Sequence, residues 1–483
     1  MSAEAFEHHL LSPQGLGRVP SGAVTCEAGG GGCCDRISIS LTVEGDRVAD
    51  AGFTARGCGA ASAAGSAAVT LTRGRAVLDV AGIGPSRIAT ELGGLSPGKL
   101  HAAELASDAL HRALGEAVRR GASVLPPPGG RTLVAMSGGV DSAVAALMSA
   151  GGGDVVAVTL ELWADPENDA ERSCCSASAV AVARAMAHRM GMAHLTLDLR
   201  DEFRAGVVEP FISGYEAGET PNPCVGCNGH LRLDAMIELA DRLGCTHLVT
   251  GHYARTVDEE HDAGPLLRVA ADLAKDQTYM LAGLSPESLG RLRFPLGGLT
   301  KPEVRRIAAD AGLPVAGKPD SQDLCFLAGT DRARFLARHG GLGDREGEIA
   351  DRSGVVLGFH SGQHRFTVGQ RKGIGLAGDE PLYVLDKDAA SNRVIVGPRS
   401  ALRTERVAVR SARLHRHGSR VDRIKLRYRC APLRGQLTGN PEAGTHSRLT
   451  VELAEAADSA APGQLACLMD GELVVGWGTI ARG

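Results

Sequence analysis

Three groups of residues in this 483-residue chain have types and spacings that could do chemistry. The first is Ser137-Gly138-Gly139-Val140-Asp141-Ser142, set between the apolar runs 132–136 and 143–148. A strand-to-helix turn of this composition suits a phosphate. Its glycines let the backbone bend toward an anion, Ser137 and Ser142 offer hydroxyls, and the following helix presents unpaired N–H groups at its positive dipole end. Asp141 cannot itself attract phosphate; beside a triphosphate a carboxylate is tolerable where it holds Mg²⁺ or orients the loop. The loop lacks the Gly-Lys-Ser/Thr ending of a Walker A motif, which disfavours a kinase or GTPase. The second group is Cys224-Val225-Gly226-Cys227 in the proline-bounded loop 220–228, with a third thiol, Cys325, in Asp320-Ser321-Gln322-Asp323-Leu324-Cys325-Phe326. A Cys-x-x-Cys alone is common to zinc sites, redox sites and plain turns. The third group is Cys33, Asp35, Cys58 and His101, whose side chains, brought together from separate loops, are ligands suited to zinc or an iron–sulfur cluster.

These groups need elements to hold them. Ile37, Ile39, Leu41 and Val43 alternate with polar residues, Gly45-Asp46 turns, and 48–54 returns, which predicts a meander of strands. Leu110, Ala113, Leu114 and Ala117 recur at helical spacing in a segment ending near Arg120. Residues 121–131, with Pro126-Pro127-Pro128-Gly129-Gly130, read as an extended linker hinged at its glycines. From Thr132, strand-like and helix-like runs alternate at 155–160, 177–190, 194–199, 233–240 and 246–250. That alternation predicts a doubly wound sheet whose ligand sits at the carboxyl ends of its strands, where the glycine loop lies. Thr300-Lys301-Pro302-Glu303 is a capping box opening the last helix of this domain. A glycine-rich stretch with Arg371 and Lys372 follows, and from Ala401 the period becomes two, with a hairpin at Asp470-Gly471. There Arg423, Lys425, Arg427 and Arg429 alternate with Ile424, Leu426, Tyr428 and Cys430, which places four cations on one strand face. Arg403, Arg406, Arg410, Arg413, Arg416 and Arg420 lead into that strand with few acids nearby, a density that favours RNA phosphate. The fold class is thus multidomain α/β. It comprises an α+β domain over 1–125, a doubly wound parallel-sheet domain over 126–328, a small central domain over 329–398 and a C-terminal β-barrel over 399–483.

Hydrophobic content of 43% with only 3% aromatic residues and 64 glycines means cores built from small aliphatic side chains. A net charge of −4 gives no global attraction to nucleic acid, so any RNA surface must be local. No apolar run reaches membrane-spanning length, and residues 1–11 carry Glu4, Glu7, His8 and His9 in place of a signal sequence, which predicts a cytoplasmic protein. Twelve cysteines in that compartment argue for metal or sulfur chemistry and against a disulfide framework.

The glycine loop resembles the pyrophosphatase loop of the N-type ATP pyrophosphatases, which cleave ATP to AMP and pyrophosphate while adenylating a carbonyl oxygen. With such a loop in the same domain, the thiols point to sulfur transfer, because an adenylate needs a thiolate or cluster-bound sulfide as nucleophile. Ser-Gly-Gly-Val-Asp-Ser, Cys174-Cys175-Ser176, Asn222-Pro223 with Cys227-Asn228, Thr250-Gly251-His252-Tyr253, Lys275-Asp276-Gln277 and Asp320-Ser321 with Cys325-Phe326 follow in the order seen in the tRNA-specific 2-thiouridylase (MnmA) family. From Thr132 onward the chain resembles that family. The resemblance implies a sulfurtransferase that adenylates O2 of the wobble uridine of tRNA with ATP and Mg²⁺, then replaces the oxygen by sulfur. It implies ATP at Ala135, Met136, Ser137, Gly138, Gly139, Val140, Asp141, Ser142, Leu160 and Gly251. It also implies Cys227 as nucleophile, Cys325 as persulfide cysteine, and tRNA contacts at Asn222, Lys275, Asp276, Gln277, Arg371, Lys372, Arg427 and Tyr428. Cys224 stands where some members carry aspartate. Cys224, Cys227 and Cys325 therefore resemble the three-thiolate set of cluster-dependent thiolation enzymes, holding a [4Fe–4S] cluster, with the persulfide relay as rival.

Phe6 to Gly17, Cys33 and Asp35, Gly57-Cys58 and Lys99-Leu100-His101 resemble the IscU/NifU iron–sulfur scaffold family in order. That family places a third ligand cysteine after its histidine, where this chain has Ala102, so either Cys34 or Cys26 substitutes as ligand or the domain serves as a docking or sulfur-relay module without cluster assembly. The resemblance implies a cluster at Cys33, Asp35, Cys58 and His101, and a tethered domain that hands cluster or sulfur to the thiols downstream. A cysteine desulfurase or relay protein would supply the sulfur. Two other functions fit the motifs: an iron–sulfur carrier whose α/β domain senses ATP, and another adenylating enzyme acting on a small carboxylate or amide.

Overall fold

Ile37, Ile39 and Leu41 are fully buried between the less buried Arg36, Ser38 and Thr42, with Ser40 buried too and bonded to Thr25, and the first period-two run forms the central strand of a sheet. The computed structural model describes residues 3–29, 34–165, 176–259, 263–320, 324–327, 329–376, 380–458 and 460–482. Strands Val24–Gly29, Arg36–Glu44 and Arg47–Arg56 make an antiparallel sheet in chain order. Against it lie helices Gly59–Thr72 and Leu100–Arg120. The first is built from alanine, glycine and other small residues and packs on strand Arg47–Arg56, where the ring of Phe53 is fully buried. Few aromatics are needed because small side chains let helix and sheet approach closely.

The second domain is a five-stranded, all-parallel sheet. Its spatial order is Leu292–Arg293, His247–Val249, Arg131–Ala135, Asp154–Glu161, Ala193–Asp198. The chain starts in the middle, winds one way, then returns to wind the other, as the alternating runs predict. Helix Leu100–Arg120 belongs to both units, since one flank covers the N-terminal sheet and the other covers strand Ala193–Asp198. His111 Nδ1 lies 2.6 Å from the His194 carbonyl, and Gly115 passes so close to the Thr196 carbonyl that a β-carbon would overlap it. Arg112 donates to Glu161 at 2.8 Å, and Arg184 pairs with Asp108. One apolar core runs from Ile39 and Leu110 through Leu195 and Leu197 to Phe203.

The hinged linker expected at 121–131 is therefore corrected. The Val124 N–H donates to the Arg242 carbonyl (2.8 Å), Gly244 packs on Pro126, and Arg131 donates to the Leu125 carbonyl (3.3 Å). The segment is bound along the α/β domain because its peptide groups find partners there.

Downstream, strands Gly347–Ala350, Val356–His360, Tyr383–Asp388 and Arg393–Gly397 make a four-stranded sheet over a core of Ile349, Phe366, Val384, Val394 and Val396. Six C-terminal strands close into a barrel when Thr404–Leu414 pairs with Leu473–Ile480. The hairpin 255–268 of the α/β domain adds to that last strand. The barrel and the Asp470-Gly471 turn agree with expectation. The cationic strand face does not. The strand ends at Lys425, and 427–430 form a turn in which Arg429 has φ 61°. The arginines expected to stand apart from acids have found them across the fold: Arg406 with Glu452, Arg410 with Glu219, and Arg416 and Arg420 with Glu259. No helix among the described residues is long and apolar enough to cross a membrane.

Candidate active site

The sheet reverses its winding between strands Arg131–Ala135 and His247–Val249, and the crevice at their carboxyl ends is where open α/β sheets bind ligands. Ala135, Met136 and Ser137 leave the first strand at that crevice. Gly138 then turns with φ +69°, and a β-carbon on it would lie 2.6 Å from the Ala179 carbonyl oxygen. Gly139 starts helix Val140–Ala150. Ser142 Oγ accepts the Ser137 N–H (3.1 Å), donates to the Gly139 carbonyl (3.1 Å) and lies 3.1 Å from Ser137 Oγ. Opposite, a β-carbon at Gly251 would fall 2.7 Å from the Ser142 nitrogen, so glycine is what lets the second strand's exit pass the loop. Leu160 is buried at the carboxyl end of its strand.

Asp141 faces cations. Lys301 Nζ donates to its two oxygens at 2.7 and 2.8 Å, and the Tyr253 hydroxyl donates at 2.9 Å. Lys301 also pairs with Asp320 (2.9 Å), which holds Lys275 (2.6 Å) and Arg305 (2.9 Å). Lys318 Nζ donates to the Gly138 carbonyl at 3.0 Å. Burial opposes charge on Asp320, but Lys275 and Lys301 more than offset it and hold its carboxyl at about 2. Burial, then Asp141, keeps the Tyr253 hydroxyl protonated. Sequence reasoning missed Lys301, Lys318 and Asp320 as site residues. The capping box at Thr300 is real, and it drew attention to the local role of a lysine whose side chain reaches across the fold.

Beyond Asp320, Cys325 and Phe326 lie at the carboxyl edge of the sheet. Phe326 packs against Trp163 (6.5 Å) and Phe203 (5.8 Å), which follow the next two strands, and against Phe211 (5.2 Å). Cys325 is thus carried on a segment laid along that edge, half-buried against the core that includes Phe326. Cys227 is buried in the same core at the start of the π-helical turn Cys227–Arg232, and Cys224 sits in the preceding short helix Pro223–Gly226. Ser321, Gln322, Asp323, Cys174 and Cys175 lie outside the described residues.

Four residues expected at the tRNA have partners inside the protein, and of these Asp276 is buried while Asn222, Lys275 and Gln277 are partly exposed. Asn222 caps the helix that carries Cys224, accepting its N–H at 3.2 Å. Lys275 is engaged with Asp320. Asp276 is buried, accepting the Ala270 N–H (3.1 Å), the Thr278 hydroxyl (2.8 Å) and Lys425 (3.4 Å). Gln277 exchanges two hydrogen bonds with the Tyr253 backbone, both 2.9 Å. They build the site from within, because polar groups at a domain junction must be satisfied there. Arg371 and Lys372 are exposed on a glycine-rich loop, as a phosphate contact requires. Arg427 and Tyr428 stand on the turn after strand Arg423–Lys425, with the Arg429 guanidinium 5.5 Å from the Tyr428 ring.

A second constellation lies in the N-terminal domain. Asp35, Cys58 and His101 bring one potential ligand atom each within 4.8 Å of one another. The Cys58 thiol and N–H both donate to Asp35 (3.0 and 2.9 Å), and His101 Nε2 lies 3.0 Å from it. Hydrogen bonds from Cys58, then His101, hold the Asp35 carboxyl below its ordinary range. Sulfur, nitrogen and oxygen donors so placed fit zinc or iron. Cys33 is outside the described residues, Cys34 is exposed, and Ala102 is in the core. Helix Leu100–Arg120 starts at this site and runs in the same sense as strand Ala193–Asp198. His111 meets the His194 carbonyl, Gly115 the Thr196 carbonyl and Arg119 the Glu202 carboxylate. At 1.5 Å per residue, His101 lies about 27 Å along the helix from Arg119, the end at which the parallel strands open toward Cys227 and Cys325. The Asp35–Cys58–His101 site thus stands at the start of the helix, away from the carboxyl ends of the strands.

Residues 130–329 match the family described as tRNA methyl transferase HUP domain, 333–398 the tRNA methyl transferase PRC-barrel domain, and 2–122 the NifU-like N terminal domain. The chain is similar to the bifunctional protein NifU/MnmA of Rubrobacter xylanophilus, 43% identical over 98% of this chain and 97% of that one. It is also similar to the tRNA-specific 2-thiouridylases MnmA of Rhodospirillum rubrum and Acidithiobacillus ferrooxidans. The first is 44% identical over 71% of this chain and 92% of that one. The second is 42% identical over 72% and 98%.

Proposed function

Since the chain belongs to the tRNA-specific 2-thiouridylase (MnmA) family in its bifunctional NifU/MnmA form, we propose that its crevice adenylates O2 of the wobble uridine and that its thiols deliver the sulfur that displaces AMP. The chain is a tRNA sulfurtransferase, and its HUP domain implies ATP use. The observation that supports the mechanism is a shared edge: Asp320 is held beside the Ser137–Ser142 loop through Lys301, and Phe326, next to Cys325, packs on Trp163 and Phe203 after the next two strands.

In this reading Ser137, Ser142 and the free N–H groups of helix Val140–Ala150 bind the phosphates of ATP. Lys301, Lys275 and Lys318 neutralise charge that accumulates as pyrophosphate leaves, and cations already fixed in place cost no reorganisation at that moment. Asp141, released from Lys301, fits an oxygen-ligand cation; Mg²⁺ there would supply charge neutralisation of the β- and γ-phosphates. The uracil must leave the anticodon stack to reach the buried Cys227. Cys224, Cys227 and Cys325 would hold a [4Fe–4S] cluster, which supplies an open iron for sulfide when bound. In the persulfide route Cys325 carries the sulfur as a persulfide and Cys227 is the nucleophile: its thiolate attacks the Cys325 Sγ, freeing sulfide-level sulfur that replaces AMP at C2 and leaving a Cys227–Cys325 disulfide that an external thiol reduces. Exposed Arg371 and Lys372 contact tRNA phosphate, and Arg427 and Tyr428 form a second contact. A cysteine desulfurase or a relay protein loads the sulfur.

The test is nucleoside mass spectrometry of tRNA after incubation with ATP and sulfide, with AMP quantified in parallel. Expected are 2-thiouridine and AMP, both dependent on tRNA, with Cys227→Ser retaining AMP formation but losing thiolation. AMP formed without tRNA would point to a small-molecule adenylating enzyme, and a tolerated Cys227→Ser to a carrier.

A further inference from the structure

The stretch leading into the cysteine loop, residues 215–220, is gripped by the two downstream domains. Gln363 of the central domain donates to the Tyr215 carbonyl (2.9 Å) and the Glu216 carbonyl (3.2 Å). Arg482, at the end of the barrel, donates to the Ala217 carbonyl (3.3 Å) and the Lys387 carbonyl (2.9 Å). Lys387, 1% exposed on the edge strand Tyr383–Asp388 of the central domain, donates to the Glu219 carbonyl (3.4 Å) and the Phe366 carbonyl (3.0 Å). From the barrel, Gln464 donates to the Thr220 carbonyl (2.5 Å), the Pro462 carbonyl accepts the Thr220 N–H (2.9 Å), and Arg410 pairs with Glu219 (2.8 Å). Gly218 sits at φ +78°, a conformation that favours glycine, and a β-carbon there would press on the Arg482 guanidinium at 2.7 Å.

This grip is unlike ordinary domain packing. It falls on main-chain carbonyls of one short segment, and Lys387 is buried to serve it at the cost of its hydration, which pushes its ammonium down to about 7. The chain then runs Pro221-Asn222-Pro223 into Cys224. Prolines with fixed φ, and an Asn222 cap bonded to the Cys224 N–H, pass a displacement on where a flexible stretch would absorb it. The gripping domains are those that carry Arg371, Lys372 and Arg427.

We propose that Gln363, Lys387 and Arg482 are positioning residues that couple tRNA engagement by the central domain and barrel to the placement of Cys224 and Cys227. A shift of either domain against the tRNA moves residues 215–220, and with them the turn that holds the thiols. The inference rests on Cys227 as a sulfur-bearing residue, and its deciding readout, alkylation of that thiol, needs no turnover.

In the full-length protein, the rate of Cys227 modification by iodoacetamide is followed by peptide mass spectrometry with and without tRNA. Wild type is expected to change rate on adding tRNA. Gln363→Ala and Arg482→Ala should lose that response while binding tRNA with unchanged affinity, and kcat should fall roughly tenfold to hundredfold with KM for tRNA unchanged, the scale of a displaced reacting group. Arg482→Lys should restore most of the response. If Gln363→Ala fails to fold, Arg482→Ala at the chain end carries the test. The coupling is overturned if wild type shows no tRNA-dependent change, if the variants respond as wild type does, or if their losses only track weakened tRNA binding. Thiolation by Cys227→Ser, measured separately, would remove the sulfur role while leaving the alkylation result standing.

Discussion

Lys301 joins the two carboxylates nearest the phosphate loop, and its loss should be felt in the chemistry before it is felt in the fold. Lys301→Ala takes from Asp141 its ammonium partner where pyrophosphate must depart, while Lys275 and Arg305 still hold Asp320. AMP formation should fall about 10²–10³-fold, the scale for one removed electrostatic donor, with tRNA affinity unchanged; a filter-binding titration beside an AMP assay checks both. The pH behaviour follows from Asp320. Its folded value of about 2 lies below the ordinary carboxylate value of about 3.9, so its contribution to stability is complete above pH ~4 and is lost as pH falls through ~2. The melting temperatures of wild type and Asp320→Asn should differ by a constant amount above pH ~4 and converge below it. At the thiols, Cys224→Ala separates the two sulfur routes. Loss of iron, sulfide and thiolation from anaerobically purified protein is the expected result, whereas full activity would leave the persulfide relay on Cys227 and Cys325.

Among the elements, helix Leu100–Arg120 has the most to lose, because two sheets depend on it. Arg112 and Glu161 are both largely buried, and removing one partner strands the other's charge. Arg112→Ala should therefore cost on the order of 3–5 kcal/mol in chemical denaturation. Gly115→Val forces a side chain into the Thr196 carbonyl, and the expected sign of separated domains is fast proteolysis within 121–131. An unchanged digestion pattern would mean that the helix can shift without releasing the sheet. The exposed loop of Arg371 behaves differently. Charge reversal there should leave stability alone and reduce the slope of log K against log salt for tRNA by about one contact.

At the scale of the molecule, the separation of about 27 Å along one helix bears on why a scaffold domain is present. A linker bound to the α/β domain is no free tether, and the docked arrangement keeps Asp35, Cys58 and His101 at the end away from Cys227. With the domain docked, cluster or sulfur moved between these sites would pass from one chain to another, and reactivation of a stripped enzyme should then speed up with protein concentration. A rate independent of concentration would require the N-terminal domain to undock. Starting the chain at Gly129 should not yield the simple loss of a donor that a tether implies. It bares the apolar flank of strand Ala193–Asp198 and leaves Glu161 and Arg184 without Arg112 and Asp108. A lower melting temperature and aggregation are expected.

What could be read from the sequence alone were features governed by neighbours along the chain. The glycine loop between strand and helix, the alternation at Ile37–Leu41, the helical face of Leu110–Ala117, the capping box at Thr300 and the Asp470-Gly471 hairpin all follow from turn chemistry and from periods of two or 3.6. The convergence of Asp35, Cys58 and His101 was legible for a different reason, since ligand residue types in family order carry their geometry with them. Tertiary structure alone decided who pairs with whom. Nothing local tells that Lys301 reaches Asp141, 160 residues away, or that Asp276 and Gln277 turn inward. The arginine-rich run illustrates the limit. By composition it is a surface for RNA, but a cation pairs with whichever carboxylate the fold brings within reach, and Glu259, Glu219 and Glu452 come from distant segments. The docking of helix Leu100–Arg120 is of the same kind, because a helix records in sequence that it has two buried flanks but not which sheet each will meet.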